Sequence, residues 1–482
     1  MASGAGLDVP TRPFGGAGVE LREDVPLKAR TRGGAGPAGG AACCAGGPRL
    51  IPTAFGALSA CITLALLTQI YCGDYELVPH GSVSSSAAPC SRAGTEALKA
   101  GGGALDAAAA TALCLAVLAP HRTSLDASGS LLYWEYRESR TQQPVLYEWG
   151  AAGLTAAAPT AAPDEERAPR LVSALAFLHS RLGALPWAAV LAPAIKLARD
   201  GFPVSEGLSL TSAAAGVARP VGSDVTAPEL ATFLSSLLNN TSAELSALWD
   251  SASMVRSGAA VRGGAGSWRV VVGGARAPAT LRALQAALAP PPNSSYDAQL
   301  RVVSALQREA AGAGVTDDGT VATGLGGVAT GLAAVDRRDT YAALVTGVSV
   351  PFGSGAPTAA GWRRDEPLEA LDLAPALLLD AHVCGTRYVL GAESGAALAQ
   401  AGAALATLGA MSAVEGARVG VLAGGALALE SAREPAPAPP LTALAPLYNA
   451  SLPYPAVNLV MQSGDALASH ADSRGGGLAY RF

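Results

Sequence analysis

The sequence predicts a layered α/β sandwich, mixed in the α+β manner, behind one membrane-spanning helix. Three observations carry this. The stretch from Leu50 to Gly73 holds no charged residue, with Gln69 its one strongly polar side chain. Beyond it, apolar helical runs alternate with strand-like runs that come as a hairpin or singly, without the βαβ rhythm of a parallel sheet. No solenoid period runs through the chain.

Residues 1–49, rich in Gly, Ala and Pro with no helical or strand period, read as a flexible cytoplasmic tail. Residues 50–73 suffice to span ~30 Å of hydrocarbon as a signal anchor. Lys28, Arg30, Arg32 and Arg49 precede the run, and Asp74 and Glu76 follow it. The positive side stays in the cytoplasm, so residues 74–482 are expected outside the cytosol, as in a type II single-pass protein. Within that part "GGGALDAAAATALCLAVLAPH" (101–121) reads as a buried helix with Asp106 at its start and Pro120 at its end. "SLLYWEYRE" and "QPVLYEWG" read as a hairpin. Residues 171–202 give two helices broken at Gly183 to Pro186, residues 205–290 helical fragments, and "TYAALVTGVSVPFGSG" (340–355) a strand closing on a glycine-rich turn.

Composition excludes several functions. With net charge −5 and no basic cluster interleaved with aromatics, nucleic-acid binding is not expected. The seven cysteines contain no CxxC and do not read as a disulfide framework, and His121, His179 and His382 are scattered, so neither a metal nor a cofactor is expected. "GLGG" at 324–327 is too short for a phosphate loop. Cys43 and Cys44 suit palmitoylation or a neutral juxtamembrane pair. Asn239 and Asn240 (overlapping), Asn293 and Asn449 are N-glycosylation acceptors, all beyond the anchor.

Several motifs carry a resemblance. "QIYCGD" (69–74), the 101–121 helix, "GALPWAAVLAPAIKLARDGFPV", "PFGSG" (351–355) and "SRGGGLAY" stand in the order of the gamma-glutamyltransferase (glutathione hydrolase) family. The chain is most similar to that family's type 7 members, across residues 65–482. The resemblance implies an N-terminal-nucleophile αββα sandwich, heavy-chain-like over 74–329 and light-chain-like over 330–482. It implies self-cleavage before a Thr whose freed α-amine activates its own hydroxyl. The implied substrates are γ-glutamyl amides such as glutathione, handled without a cofactor.

Carried over residue by residue, the chemistry is eroded. Counted back from Phe352 without a gap, the nucleophile falls on Ala329 and the second hydroxyl on Thr330; one gap would make Thr330 the nucleophile. Only the ungapped register keeps the apolar order of Leu332 to Asp336, because a one-residue slip turns every strand side chain over. The Arg that holds the substrate's α-carboxylate falls on Tyr147, followed by a retained Glu148. Arg137 in "YRES" lies on the other arm of the hairpin and reads as a solvated residue. Ser349 keeps one hydroxyl of the turn, the paired serines fall on Leu371 and Asp372, and the oxyanion glycines become Ser394 and Gly395. Two functions follow as alternatives: weak γ-glutamyl hydrolysis or transfer by Thr330, or a lapsed relative that binds, for instance a membrane-protein partner.

Overall fold

The structure is a computed structural model that describes residues 47–72, 80–137, 143–153, 168–312, 327–382, 385–421, 426–430, 447–449 and 454–482. It divides into two compact units, Met1–Glu76 and Leu77–Phe482. In the first, the uncharged run forms one helix, α1 (Gly47–Cys72), and residues 52–68 are exposed throughout. Pro52 and the many Ala, Ser and Thr residues dilute the run. Among the described residues no helix is long and apolar enough to cross a membrane. Residues 1–46, most of the expected tail with Cys43 and Cys44, lie outside the described residues, as do Asp74, Glu76 and Cys384.

The second unit is a four-layer sandwich. In chain order it opens with β1 (Ser82–Ser85), α2 (Ala88–Lys99), α3 (Ala104–Leu118), β2 (Ser128–Glu135), β3 (Val145–Trp149), α4 (Arg170–Leu182) and α5 (Trp187–Asp200). A peripheral stretch holds β4 (Phe202–Pro203), α6 (Glu206–Ala214), β5 (Asp224–Val225), α7 (Pro228–Ser236), α8 (Ser242–Leu248) and α9 (Ser251–Met254). Then come β6 (Val255–Ala259), β7 (Val261–Ala265), β8 (Trp268–Val272), α10 (Ala277–Leu288) and α11 (Ser295–Gly312). After residue 327 follow β9 (Val328–Val335), β10 (Thr340–Val348), β11 (Ala374–Asp380), β12 (Arg387–Ala392) and α12 (Gly395–Leu408). The chain ends with β13 (Val419–Val421), β14 (Leu427–Leu429), β15 (Leu447–Asn449), β16 (Val457–Ser463), β17 (Ala466–His470) and β18 (Ala479–Arg481).

One sheet has the order β18-β1-β9-β10-β2-β3-β6 and the other β17-β16-β12-β11-β8-β7. Every pairing in both is antiparallel. Leu132, Trp134, Ala333, Val335, Leu377 and Val389 meet between the sheets. α2 to α5 cover the outer face of the first sheet, and α10 to α12 that of the second. The expected helices over 101–121 and 171–202, the hairpin and the strand after Thr340 all form.

Small residues set the spacing. A Cβ on Gly331 would stand 2.3 Å from the carbonyl oxygen of Gly391, so two glycines let β9 and β12 meet backbone to backbone. Gly94 similarly seats α2 against Thr111 of α3. That close approach corrects the reading of the cysteines: Cys90 and Cys114, 24 residues apart, lie with Cα atoms 5.3 Å apart and form a disulfide. Residues 205–290 also differ from expectation. Their first and last parts are helical, but residues 255–272 form three strands, whose glycines and arginines at 256, 258, 262–264 and 269 hide the apolar alternation.

Candidate active site

At one end of the sandwich β9 and β2 begin, β10 ends, β12 runs into α12 and the chain enters β11. The register pairs Ala329 with Gly347 and Thr330 with Thr346. Ala333 and Val335 belong to the core between the sheets, while Leu332 and Ala334 belong to the core under α3. Side chains alternate along a strand. Ala329 therefore points between the sheets and Thr330 toward the helices. Ala329 packs with Ala151, Ala152, Val345, Leu371 and Leu373. Thr330 is 1% exposed and its Oγ1 has no hydrogen-bond partner among the described residues, while its neighbour Thr346 Oγ1 lies 2.9 Å from Thr123 Oγ1.

The other predicted positions lie on separate elements. Ser394 caps α12 by accepting the Ala397 N–H at 3.1 Å, and the Gly395 N–H donates to Asp372 Oδ2 at 3.0 Å. A donor that could face a developing oxyanion is thus already held by the chain's own carboxylate. Burial pushes the Asp372 carboxyl up, against the opposing pull of Arg276. The Ser349 N–H and hydroxyl both donate to Asp365. Asp365 in turn donates its N–H to Asp126 Oδ2 at 3.0 Å, and Arg170 Nε donates to Asp126 Oδ1 at 3.0 Å. Ser349 is therefore a fixed acid-bound hydroxyl rather than an open one.

Tyr147 pairs with Leu131 on the helix-facing side of the hairpin, where burial pushes its phenol up and Arg181 opposes. Glu148 lies opposite Ser130 and Arg256 on the other face. Its carboxyl is raised by burial, against Arg256 and the Gly274 N–H. The two residues therefore do not converge on one point. Arg137 is paired with Asp339, its side chain 54% exposed, as a solvated hairpin arginine should be.

Sequence reasoning missed an ion pair at this end. Arg122 Nη1 lies 2.7 Å from both carboxylate oxygens of Glu393, and both side chains are buried. Ser86 and the Ala456 N–H also donate to Glu393, and Asn458 donates to the Gly331 carbonyl and to Ser86. Burial, with Arg122 beside it, holds the neighbouring His121 ring down to about 3. The available signal was adjacency: Arg122 follows the "PH" of the helix motif and Glu393 precedes Ser394. Asn239, Asn240 and Asn293 are exposed, and Asn449 lies on β15.

Residues 90–219 match the gamma-glutamyltranspeptidase family. Glutathione hydrolase 7 of Bos taurus is 34% identical over 172 residues, which is 35% of this chain and 26% of that protein. Glutathione hydrolase 6 of Rattus norvegicus is 39% identical over 142 residues, 28% of this chain and 26% of that protein. The chain thus spans about a quarter of the length of the curated relatives it matches. In structure, the chain is similar to cephalosporin acylase from Bacillus halodurans. The TM-score is 0.61 at 17% identity, over 84% of this chain and 96% of the acylase. The four-layer sandwich is the N-terminal-nucleophile hydrolase fold.

Proposed function

We propose that this chain binds γ-glutamyl compounds such as glutathione, or a membrane-protein partner, and does not turn them over. One observation carries the reading: the position facing the inter-sheet space is Ala329, covered by Leu371 and Leu373, while the Thr330 hydroxyl faces the helices. Attack on a carbonyl from Thr330 would require the strand to invert at this point. The Gly395 N–H, engaged by Asp372, adds a second obstacle, since one oxyanion donor is typically worth ~3–4 kcal/mol of barrier. The chain is expected to remain one polypeptide on a denaturing gel and to release no aniline from a γ-glutamyl anilide. N-terminal sequencing that finds a fragment starting at Thr330, absent from Thr330→Ala, would make the hydrolytic reading correct.

We further propose that α1 anchors the chain with the sandwich in an oxidising lumen or outside the cell. Support comes from exposed Phe55, Leu58, Ile62 and Leu64 on α1, from the exposed acceptors Asn239, Asn240 and Asn293, and from the Cys90–Cys114 disulfide.

A further inference from the structure

Where the chain crosses from the first sheet to the second, between β6 and β7, a cavity of about 320 Å³ opens at the sandwich edge. β6 is the last strand of its sheet and the fourth from β9, so at ~4.8 Å per strand the two strands lie ~19 Å apart. Pro144, Val145 and Val271 give it apolar walls. Arg262, Gln143 and Ser257 also line it, all three exposed. Among the described residues none of these three side chains has a hydrogen bond or ion pair. Gly258, another lining residue, faces open space, with nothing within 4 Å of where its Cβ would stand. A concave apolar site with a few convergent polar groups is the usual form of a small-molecule site.

We propose that this cavity binds a small carboxylate with a short aliphatic body. The Arg262 guanidinium takes the carboxylate by paired charge-assisted hydrogen bonds. Gln143 and Ser257 supply further donors, and Val145 and Val271 receive the aliphatic part. The site is independent of the reading of Ala329 and Thr330, because none of its residues belongs to that end of the sandwich.

Equilibrium dialysis of radiolabelled hexanoate against the full-length chain tests this. Saturable binding is expected, competed by other short carboxylates but not by hexanol. Arg262→Gln should weaken it about 10-fold or more, and Arg262→Lys by less. Arg269→Gln makes the same change of net charge at an exposed residue outside the cavity lining and should leave binding unchanged. Absence of saturable binding overturns the proposal. So does equal competition by hexanol, or equal loss in the Arg262 and Arg269 variants. Because this readout needs no self-cleavage, its failure leaves the functional proposal standing, and the reverse holds as well.

Discussion

Ala329 and Thr330 are adjacent, and the alternation of one strand gives them opposite surroundings. Ala329→Thr would put a hydroxyl among the apolar side chains of Leu371, Leu373 and Val345. An unpaired buried hydroxyl costs ~1–3 kcal/mol, so this variant should lose about that much stability in urea unfolding and gain no turnover. Thr330→Val removes a hydroxyl that is already unpartnered, so its stability should stay within ~1 kcal/mol of wild type or rise. A large loss would show that the Thr330 hydroxyl has a partner in solution. His121 gives a pH-dependent case. Its ring is held at about 3 in the folded chain, against an ordinary value of 6.5. The unfolded chain therefore takes up the proton first. The stability that depends on the neutral ring is complete above pH ~6.5 and declines as pH falls toward about 3, by up to ~1.4 kcal/mol per pH unit. His121→Leu should flatten that decline between pH 7 and 4, and parallel curves for the two proteins would count against it. The register of residues 329 and 330 could be read from sequence because strand alternation is a local rule. The Arg122–Glu393 pair could not, since its partners are 271 residues apart and only the fold makes them neighbours.

At the scale of elements, the legible parts were those with a strong period or a clear stop. α3 has Asp106 accepting the Gly103 N–H at 2.8 Å, and α5 ends at Gly201 with φ of 92°. β6 to β8 escaped because glycine replaces the apolar residue at several positions, leaving no alternation to count. The same small residues that blur the pattern are required where backbones touch. Gly331→Ala forces a Cβ against the Gly391 carbonyl and should cost ~1–3 kcal/mol or prevent folding. Gly258→Ala, facing open space, should be close to neutral. Thermal unfolding of the two variants side by side decides this, and comparable losses in both would mean that the sheets do not meet as closely as described.

For the whole molecule, the order of layers follows from the resemblance, and the proposed anchor makes a prediction of its own. With its acceptors beyond α1, the expressed chain should run faster on a gel after an amidase removes N-linked glycans. It should also resist extraction by alkaline carbonate. No mobility shift, together with release by carbonate, would remove the anchor proposal.

Neither side of the Ala329–Thr330 bond contains either of the two large sheets complete. In the first, β1, β2, β3, β6 and the first two residues of β9 come from before that bond, and the rest of β9 with β10 and β18 from after it; in the second, β7 and β8 are joined by β11, β12, β16 and β17. β9 lies between β1 and β10, held by ladders on both edges. Two polypeptides divided at this bond would therefore stay interleaved, strand between strand, as a non-covalent complementation pair. Such a pair would be held by the ladders on both edges of β9 and not by the peptide bond.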